Sequence, residues 1–153
     1  MRFLIELVNN KPLVISAMSW LVAGILKMFV ELRVNKKLHI SRIVGAGGMP
    51  SSHTATVVSL AIALGFYNGL SSSEFALAAI FAIIVIHDAV GVRLETGKQA
   101  KVLNTMMFES EAFKDLDFEK QLKEYVGHTP LQALAGAIVG IIVSTLMIFV
   151  VYK

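Results

Sequence analysis

The sequence has no cysteine and contains few prolines and few charged residues. Its 153 residues include no cysteine, three prolines and one tryptophan. The absence of cysteine excludes a disulfide framework and any metal site built on thiolates. Charged residues make up only 16% of the chain, against roughly 25% in a typical soluble domain. The length suits one domain, and we expect residues 1–153 to form a single membrane-embedded domain.

Apolar residues take the place of the missing charge. Hydrophobic residues make up 56% of the chain, and the mean hydropathy is +0.70. The formal charge of +3 does not indicate binding to nucleic acid. Basic residues beside apolar spans commonly determine membrane topology and contact anionic lipid headgroups. We therefore expect an all-α integral membrane protein, a multi-pass helical bundle in the cell membrane.

Four apolar segments are visible, at residues 12–32, 54–66, 75–92 and 131–152. A helix needs about 20 residues to cross a bilayer, so the second segment is short for a crossing. Between the third and fourth segments, the stretch ESEAFKDLDFEKQLKEYVGH carries charges of both signs. It predicts an amphipathic surface helix. The expected fold has about four apolar helices plus this polar amphipathic segment.

Lysine and arginine are concentrated in the first and third connections between these segments. Residues 33–42 contain four of them, and the third connection contains six: Arg93, Lys98, Lys101, Lys114, Lys120 and Lys123. The opposite side has three: Arg2, Lys11 and Lys153. By the positive-inside rule, the first and third connections face the cytoplasm. If the second segment does not cross, the spans become three and the two termini lie on opposite sides.

Gly136 and Gly140 form a small-xxx-small pair in the last apolar segment. Such a pair lets another helix approach closely. Packing within the chain and a homo-oligomer interface would both use it, and packing within the chain is the expectation.

The stretch GGMPSSHTATV, residues 47–57, puts two glycines, a proline, two serines and a histidine just before an apolar helix. The start of a helix presents free N–H groups and a positive dipole end, which suit anionic oxygens. Ionisable residues near membrane helices are costly, so each is a functional hypothesis. Several cations and histidines together favour a phosphate site. The clustered ionisable residues are Lys27, His53, His87, Asp88, Arg93, Lys98 and His128.

Three motifs in order carry a resemblance to a known family. GGMPSSHTATV, DAVGVRLETGKQAKVLN and GHTPLQALAGAIVGI closely resemble the divergent branch of the type 2 phosphatidic acid phosphatase superfamily. This branch is also called acid phosphatase/vanadium-dependent haloperoxidase-related. The resemblance covers the chain from about Trp20 onward. It implies a phosphatase with a histidine nucleophile, no metal and no cofactor.

The resemblance also implies roles for single residues. Residues 50–53 match a Pro-Ser-Gly-His motif, with Ser52 in the place of glycine, and His128 matches the third-motif histidine. His128 would attack phosphorus and His53 would protonate the leaving oxygen as general acid. The residues implied to bind the phosphate are Lys27, Ser51, Ser52, Arg93 and Lys98.

Besides Ser52, a second position departs from the superfamily pattern. The residue four after His128 is Gln132, where the superfamily has an aspartate that orients the histidine. Gln132, Glu124 and Asp88 are therefore the candidates for orienting His128. Asp88 has an equal claim as the ion-pair partner of Arg93 or Lys98. Glu95 is expected to pair locally.

The expected function is a membrane lipid phosphomonoesterase, with phosphatidylglycerophosphate as the first candidate substrate and phosphatidic acid or a polyprenyl phosphate next. The alternative is a non-catalytic membrane protein that binds anionic lipid or phosphate with the same cations. Gln132 favours that alternative, because it brings no negative charge to an imidazolium. A third hypothesis is a metal site built from His53, His87, Asp88 and His128.

Overall fold

A computed structural model describes residues 2–36, 47–109, 120–124 and 126–153. Regular structure in these residues is helical, which confirms the all-α prediction. The helices are α1 Arg2–Asn9, α2 Lys11–Asn35, α3 Ser52–Asn68, α4 Ser73–Val90, α5 Val92–Glu109 and α6 Pro130–Leu146. A π-helical turn, Met147–Val151, continues α6.

Side-chain caps explain where the longer helices begin. The side chains of Asn10, Ser51 and Ser72 accept hydrogen bonds from the first turns of α2, α3 and α4. Thr129 caps α6 in a capping box, in which its side chain and that of Gln132 each accept from the other's backbone N–H. Each cap satisfies an N–H group that the helix itself leaves unpaired.

Helix α3 lies at the centre of the bundle and packs against α2, α4 and α6. Its contact with α6 depends on glycine. A side chain at Gly136 would overlap the carbonyl oxygen of Ser51, and one at Gly140 would come within 2.6 Å of the carbonyl oxygen of Ala55. These contacts recur one turn further along both helices, so α3 and α6 run parallel. The glycine pair thus serves packing within the chain, as expected.

Two clusters mark the opposite ends of the bundle. At one end, Nζ of Lys11 lies 5.3 Å from the ring centroids of Tyr67 and Tyr152. At the other end, Nζ of Lys27 donates to Oγ of Ser52. Helices α2 and α3 therefore run antiparallel between the same two ends. The start of α2 and the end of α6 lie together, far from the glycine–serine loop.

Three helical stretches are long and apolar enough to cross a membrane: Lys11–Val34, Ser73–Glu109 and Pro130–Val151. Their outer faces carry exposed large apolar side chains, including Leu77, Ile83 and Ile142, as expected for surfaces in contact with lipid. Helix α3, with 17 residues, is not among the three. The bundle of four apolar helices is confirmed, and three of them have the length of a span.

The polar region after α4 begins with a break at Gly91, which separates α4 from α5. Helix α5 carries the charges of the third connection. Neither a separate α1 nor the extent of α5 was predicted from the sequence. Most of the expected amphipathic segment, residues 110–119 and 125, lies outside the described residues. The same holds for Lys37, Arg42 and Lys114 of the topology argument.

Candidate active site

A cavity of about 140 Å³ opens at the end of the bundle that contains Lys27. It lies between the start of α3, the end of α4 and the segment before α6. Its lining residues are His53, Val85, Asp88, Ala89, Arg93, Val126 and His128. The fold thus brings together both histidines of the predicted chemistry, with one arginine and one carboxylate.

The loop before α3 is shaped by two glycines. Gly47 and Gly48 have φ angles of 79° and 81°, in the left-handed region that favours glycine. A Cβ at Gly48 would lie 3.3 Å from Cγ and Cδ of Lys27. The second glycine therefore lets the loop close tightly over the aliphatic part of this lysine.

Lys27, on the membrane helix α2, lies near both histidines but does not line their cavity. Its side chain is only 1% exposed, and Nζ donates to Oγ of Ser52 across 3.4 Å. A buried ammonium in a membrane helix is costly and usually functional. Its charge also acts on both histidines, His53 and His128, whose pKa values it lowers.

Ser51 joins α3 to α6. Its Oγ accepts hydrogen bonds from the N–H and the hydroxyl of Thr54, at 3.3 and 3.0 Å. Its own N–H donates to the carbonyl oxygen of Gln132 at 3.1 Å. Both groups of Ser51 that were expected to meet phosphate thus hold the fold together. The first-turn N–H groups of Ser52 and His53 have no acceptor within α3.

His128 is placed by the backbone of its neighbours. Its N–H donates to the carbonyl oxygen of Ala89 at 3.0 Å. A Cβ at Gly127 would come within 2.6 Å of the carbonyl carbon of Arg93. Only glycine permits this close approach, which brings His128 to the cavity wall. The side chain of His128 is 3% exposed.

The environment of His128 favours the neutral imidazole. Burial lowers its pKa, and the charge of Lys27 lowers it further. The Gln132 side chain and the Gly48 backbone oppose this shift as nearby acceptors, while His53 adds to it. Nδ1 of His128 is buried and meets no partner at hydrogen-bonding geometry among the described residues.

His53 lies in the first turn of α3, outside the three candidate spans. Partial burial lowers its pKa, and the nearby cations Lys27 and Arg93 lower it further. The imidazole is therefore neutral at neutral pH when the cavity holds no anion. A phosphate dianion beside it would have the opposite effect, because an anion favours the protonated form.

Asp88 and Arg93 form an ion pair at the cavity wall, with Nε of Arg93 donating to Oδ2 of Asp88. Both side chains line the same cavity as the histidines. The ion pair predicted as one role of Asp88 is thus confirmed. It holds the guanidinium at the cavity.

The two other candidates for orienting His128 have partners of their own. Oε1 of Gln132 accepts from the N–H of Thr129 at 3.0 Å. Oε1 of Glu124 accepts from Nδ2 of Asn104 at 2.9 Å, and Glu124 does not line the histidine cavity. Of the three candidates, only Gln132 acts on the pKa of His128, which it raises.

Lys98 lies outside the histidine cavity. Its Nζ donates to Oε1 of Glu95 at 2.7 Å, which confirms the local pairing predicted for that glutamate. Lys98 lines a larger neighbouring pocket of about 330 Å³ together with Lys101, Glu124 and Gln132.

Sequence reasoning missed Asn104. This buried side chain clamps the backbone of Leu122: Nδ2 donates to its carbonyl oxygen at 2.9 Å, and Oδ1 accepts from its N–H at 2.8 Å. The same Nδ2 donates to Glu124. The clamp holds the chain that leads to His128 against α5. The only signal in the sequence was an asparagine inside a polar helix, which is not specific.

The four side chains of the metal hypothesis do not converge. His87 is exposed and does not line the cavity that holds His53 and His128. Among the described residues, no group of three histidines or carboxylates is placed to hold a metal ion.

The fold and the cavity together define a helical membrane protein with paired histidines at one end of its bundle. The sequence matches the family described as the Divergent PAP2 family over residues 8–143, so the chain belongs to that family. This match confirms the resemblance. The chain is also 36% identical over 154 residues to the uncharacterized membrane protein YuiD of Bacillus subtilis (strain 168), covering 94% of this chain and 98% of that protein. No solved structure matches.

Proposed function

We propose that this protein is a membrane lipid phosphomonoesterase with a histidine nucleophile, acting on phosphatidylglycerophosphate. One observation carries the proposal: His53 and His128, from two separate motifs, line one cavity with Arg93. Membership of a phosphatase-related family supports the same chemistry.

In the first step, the neutral imidazole of His128 attacks phosphorus. Since Nδ1 is buried, Nε2 is the nitrogen that forms the new N–P bond. The P–O bond to the glycerol breaks, and His53 gives its proton to the leaving oxygen. The dianionic substrate itself raises the pKa of His53 and so supplies the protonated acid.

Cations stabilise the negative charge on the phosphoryl oxygens. Arg93 lines the cavity with its guanidinium held by Asp88. Lys27 lies beside Ser52 at the start of α3, where the N–H groups of Ser52 and His53 also point out of the helix end. Donors fixed before the reaction cost no reorganisation when charge develops.

In the second step, water attacks the phosphohistidine. His53, now neutral, takes a proton from the water as the O–P bond forms and the N–P bond breaks. Inorganic phosphate leaves, and His128 returns to its neutral form. Every proton and bond in this cycle is accounted for by the two histidines, water and the substrate.

The site lies at the end of the bundle to which the first and third connections belong. The basic residues of these connections favour a cytoplasmic orientation of this end. A lipid phosphate made on the inner leaflet would then reach the cavity without leaving the membrane. This orientation is part of the proposal.

The test is phosphate release from phosphatidylglycerophosphate by purified protein in detergent, with a metal chelator present. We expect turnover by the unmodified protein, none by His128→Ala, and a loss of about 100- to 10,000-fold for His53→Ala. His87→Ala is the matched control, because this exposed histidine lies outside the cavity. It should retain full activity.

The alternative of a non-catalytic lipid-binding protein makes a different prediction. No turnover by a folded protein that still binds the lipid would support it and refute the phosphatase proposal. Equal activity in His128→Ala and the unmodified protein would refute the histidine nucleophile while leaving hydrolysis in place.

A further inference from the structure

Three depressions follow one another across the site end of the molecule. The histidine cavity shares Val126 with the larger pocket of about 330 Å³. That pocket shares Lys98 with a third depression of about 430 Å³ on the surface of α5. The phosphatase proposal accounts for the first of them only.

The middle pocket has the chemistry of an anion site. Lys98 and Lys101 lie one turn apart on α5 and both line it, together with the carboxylate of Glu124. Nζ of Lys98 also holds Glu95, an exposed carboxylate outside the pocket lining. An exposed ion pair of this kind is weak, so a phosphate in the pocket competes with it for Lys98. Each lysine ammonium brings one positive charge and hydrogen-bond donors that suit a phosphate. The carboxylate of Glu124 accepts a hydrogen bond from Asn104. It can also accept one from a ligand hydroxyl that lies between two anionic groups of the same ligand.

The third depression is apolar. Val102 and Leu103 line it next to Lys98, and they are 59% and 46% exposed. This surface lies on α5, the helix that also carries Lys98 and Lys101. An aliphatic chain attached to an anion at Lys98 would therefore find apolar contact at once.

From this order we propose that the protein selects lipids whose headgroup carries two phosphates in series. The terminal phosphomonoester occupies the histidine cavity, and the inner phosphodiester binds Lys98 and Lys101. The glycerol hydroxyl between them donates to Glu124, and the acyl chains leave along Val102 and Leu103. This inference rests on the proposed phosphatase function and assigns the residues that select its substrate.

Phosphatidylglycerophosphate has this two-phosphate headgroup, whereas phosphatidic acid has a single phosphate. The middle pocket would therefore discriminate between them, while the histidine cavity treats both alike. Selectivity comes from the lysine pocket because a ligand without the inner phosphate gains no charge-assisted contact with Lys101 and leaves Lys98 on Glu95.

The test compares kcat/KM for the two lipids with identical acyl chains, in the unmodified protein and in Lys101→Ala and Lys98→Ala/Lys101→Ala. The ratio of the two values should fall about tenfold for each charge-assisted hydrogen bond that the substitutions remove. Lys123→Ala is the matched control. It removes one charge from an exposed position outside the pocket, and it should leave the ratio unchanged.

Titration calorimetry with the two deacylated headgroups gives a readout that does not need turnover. The two-phosphate headgroup should bind more tightly than glycerol phosphate, and the double variant should abolish that difference. An unchanged preference in both experiments would overturn this inference and leave the phosphatase proposal standing. Absence of turnover on both lipids, with the binding preference present, would refute the phosphatase proposal alone.

Discussion

The carbonyl oxygen of Ser51 lies against Cα of Gly136, in the space that a side chain at position 136 would need. The same serine caps α3 and donates its N–H to Gln132 in the first turn of α6. One residue therefore sets both the start of α3 and its distance from α6. The position of His53, two residues later, depends on this contact.

Gly136→Ala should destabilise the protein by about 1–3 kcal/mol, because its methyl group forces the two helices apart. Thermal unfolding in detergent measures the effect. The proposed phosphatase activity should fall as well, since the movement displaces the start of α3. Ile138→Ala on the exposed face of α6 is the control. Equal stability of Gly136→Ala and the unmodified protein would show that the helices are not in the contact described.

Asn104→Ala should loosen the segment that leads to His128. The substitution removes three hydrogen bonds of a buried side chain, and each unpaired partner costs about 1–3 kcal/mol if it stays buried. Hydrogen exchange of residues 120–124 should accelerate, and activity should fall although Asn104 does not line the cavity. Thr105→Ala, at the next and exposed position, should change neither. Unaltered exchange in Asn104→Ala would contradict the clamp.

The pH profile should have its optimum on the acidic side. The proposed reaction needs His128 without a proton and His53 with one, and the pKa of each is lowered from 6.5. As the pH rises, both imidazoles of the free enzyme lose their protons at a pH below 6.5. This deprotonation activates His128 as the nucleophile and removes the proton that His53 must donate. The optimum of kcat/KM should therefore lie below neutrality. The profile of kcat should extend to higher pH, because the bound dianion raises the pKa of His53.

Gln132→Glu provides the internal check on this profile. Glutamate keeps the capping box and places a negative charge beside His128, which raises the pKa of the imidazole. The acid limb of kcat/KM should move to higher pH. Thr129→Ser, which keeps the capping hydroxyl, should leave the limb in place. If the acid limb of kcat/KM stays in place in Gln132→Glu, that limb does not report the ionisation of His128.

The apolar helices could be predicted from the sequence because a long uncharged segment in a membrane must pair its own backbone N–H and C=O groups, as a helix does. The loop before α3 could be predicted to be special, because glycine, proline and serine at a helix start have a specific local meaning. Helix α5 could not be delimited, since its charged sequence lacks a clear apolar face. The sequence predicts Lys98 on the same face of the membrane as the histidines, but α5 places it in the neighbouring pocket.

The sequence by itself determined the helical membrane class, the family and the pair of histidines, because these depend on local composition and on ordered motifs. Only the tertiary structure decided which ionisable groups share a cavity. Close backbone approaches at Gly127 and Gly136 bring together segments that are distant along the chain. The pairing of Asp88 with Arg93 and the separate lysine pocket follow from that packing. Such distances arise from helix contacts, which no local pattern encodes.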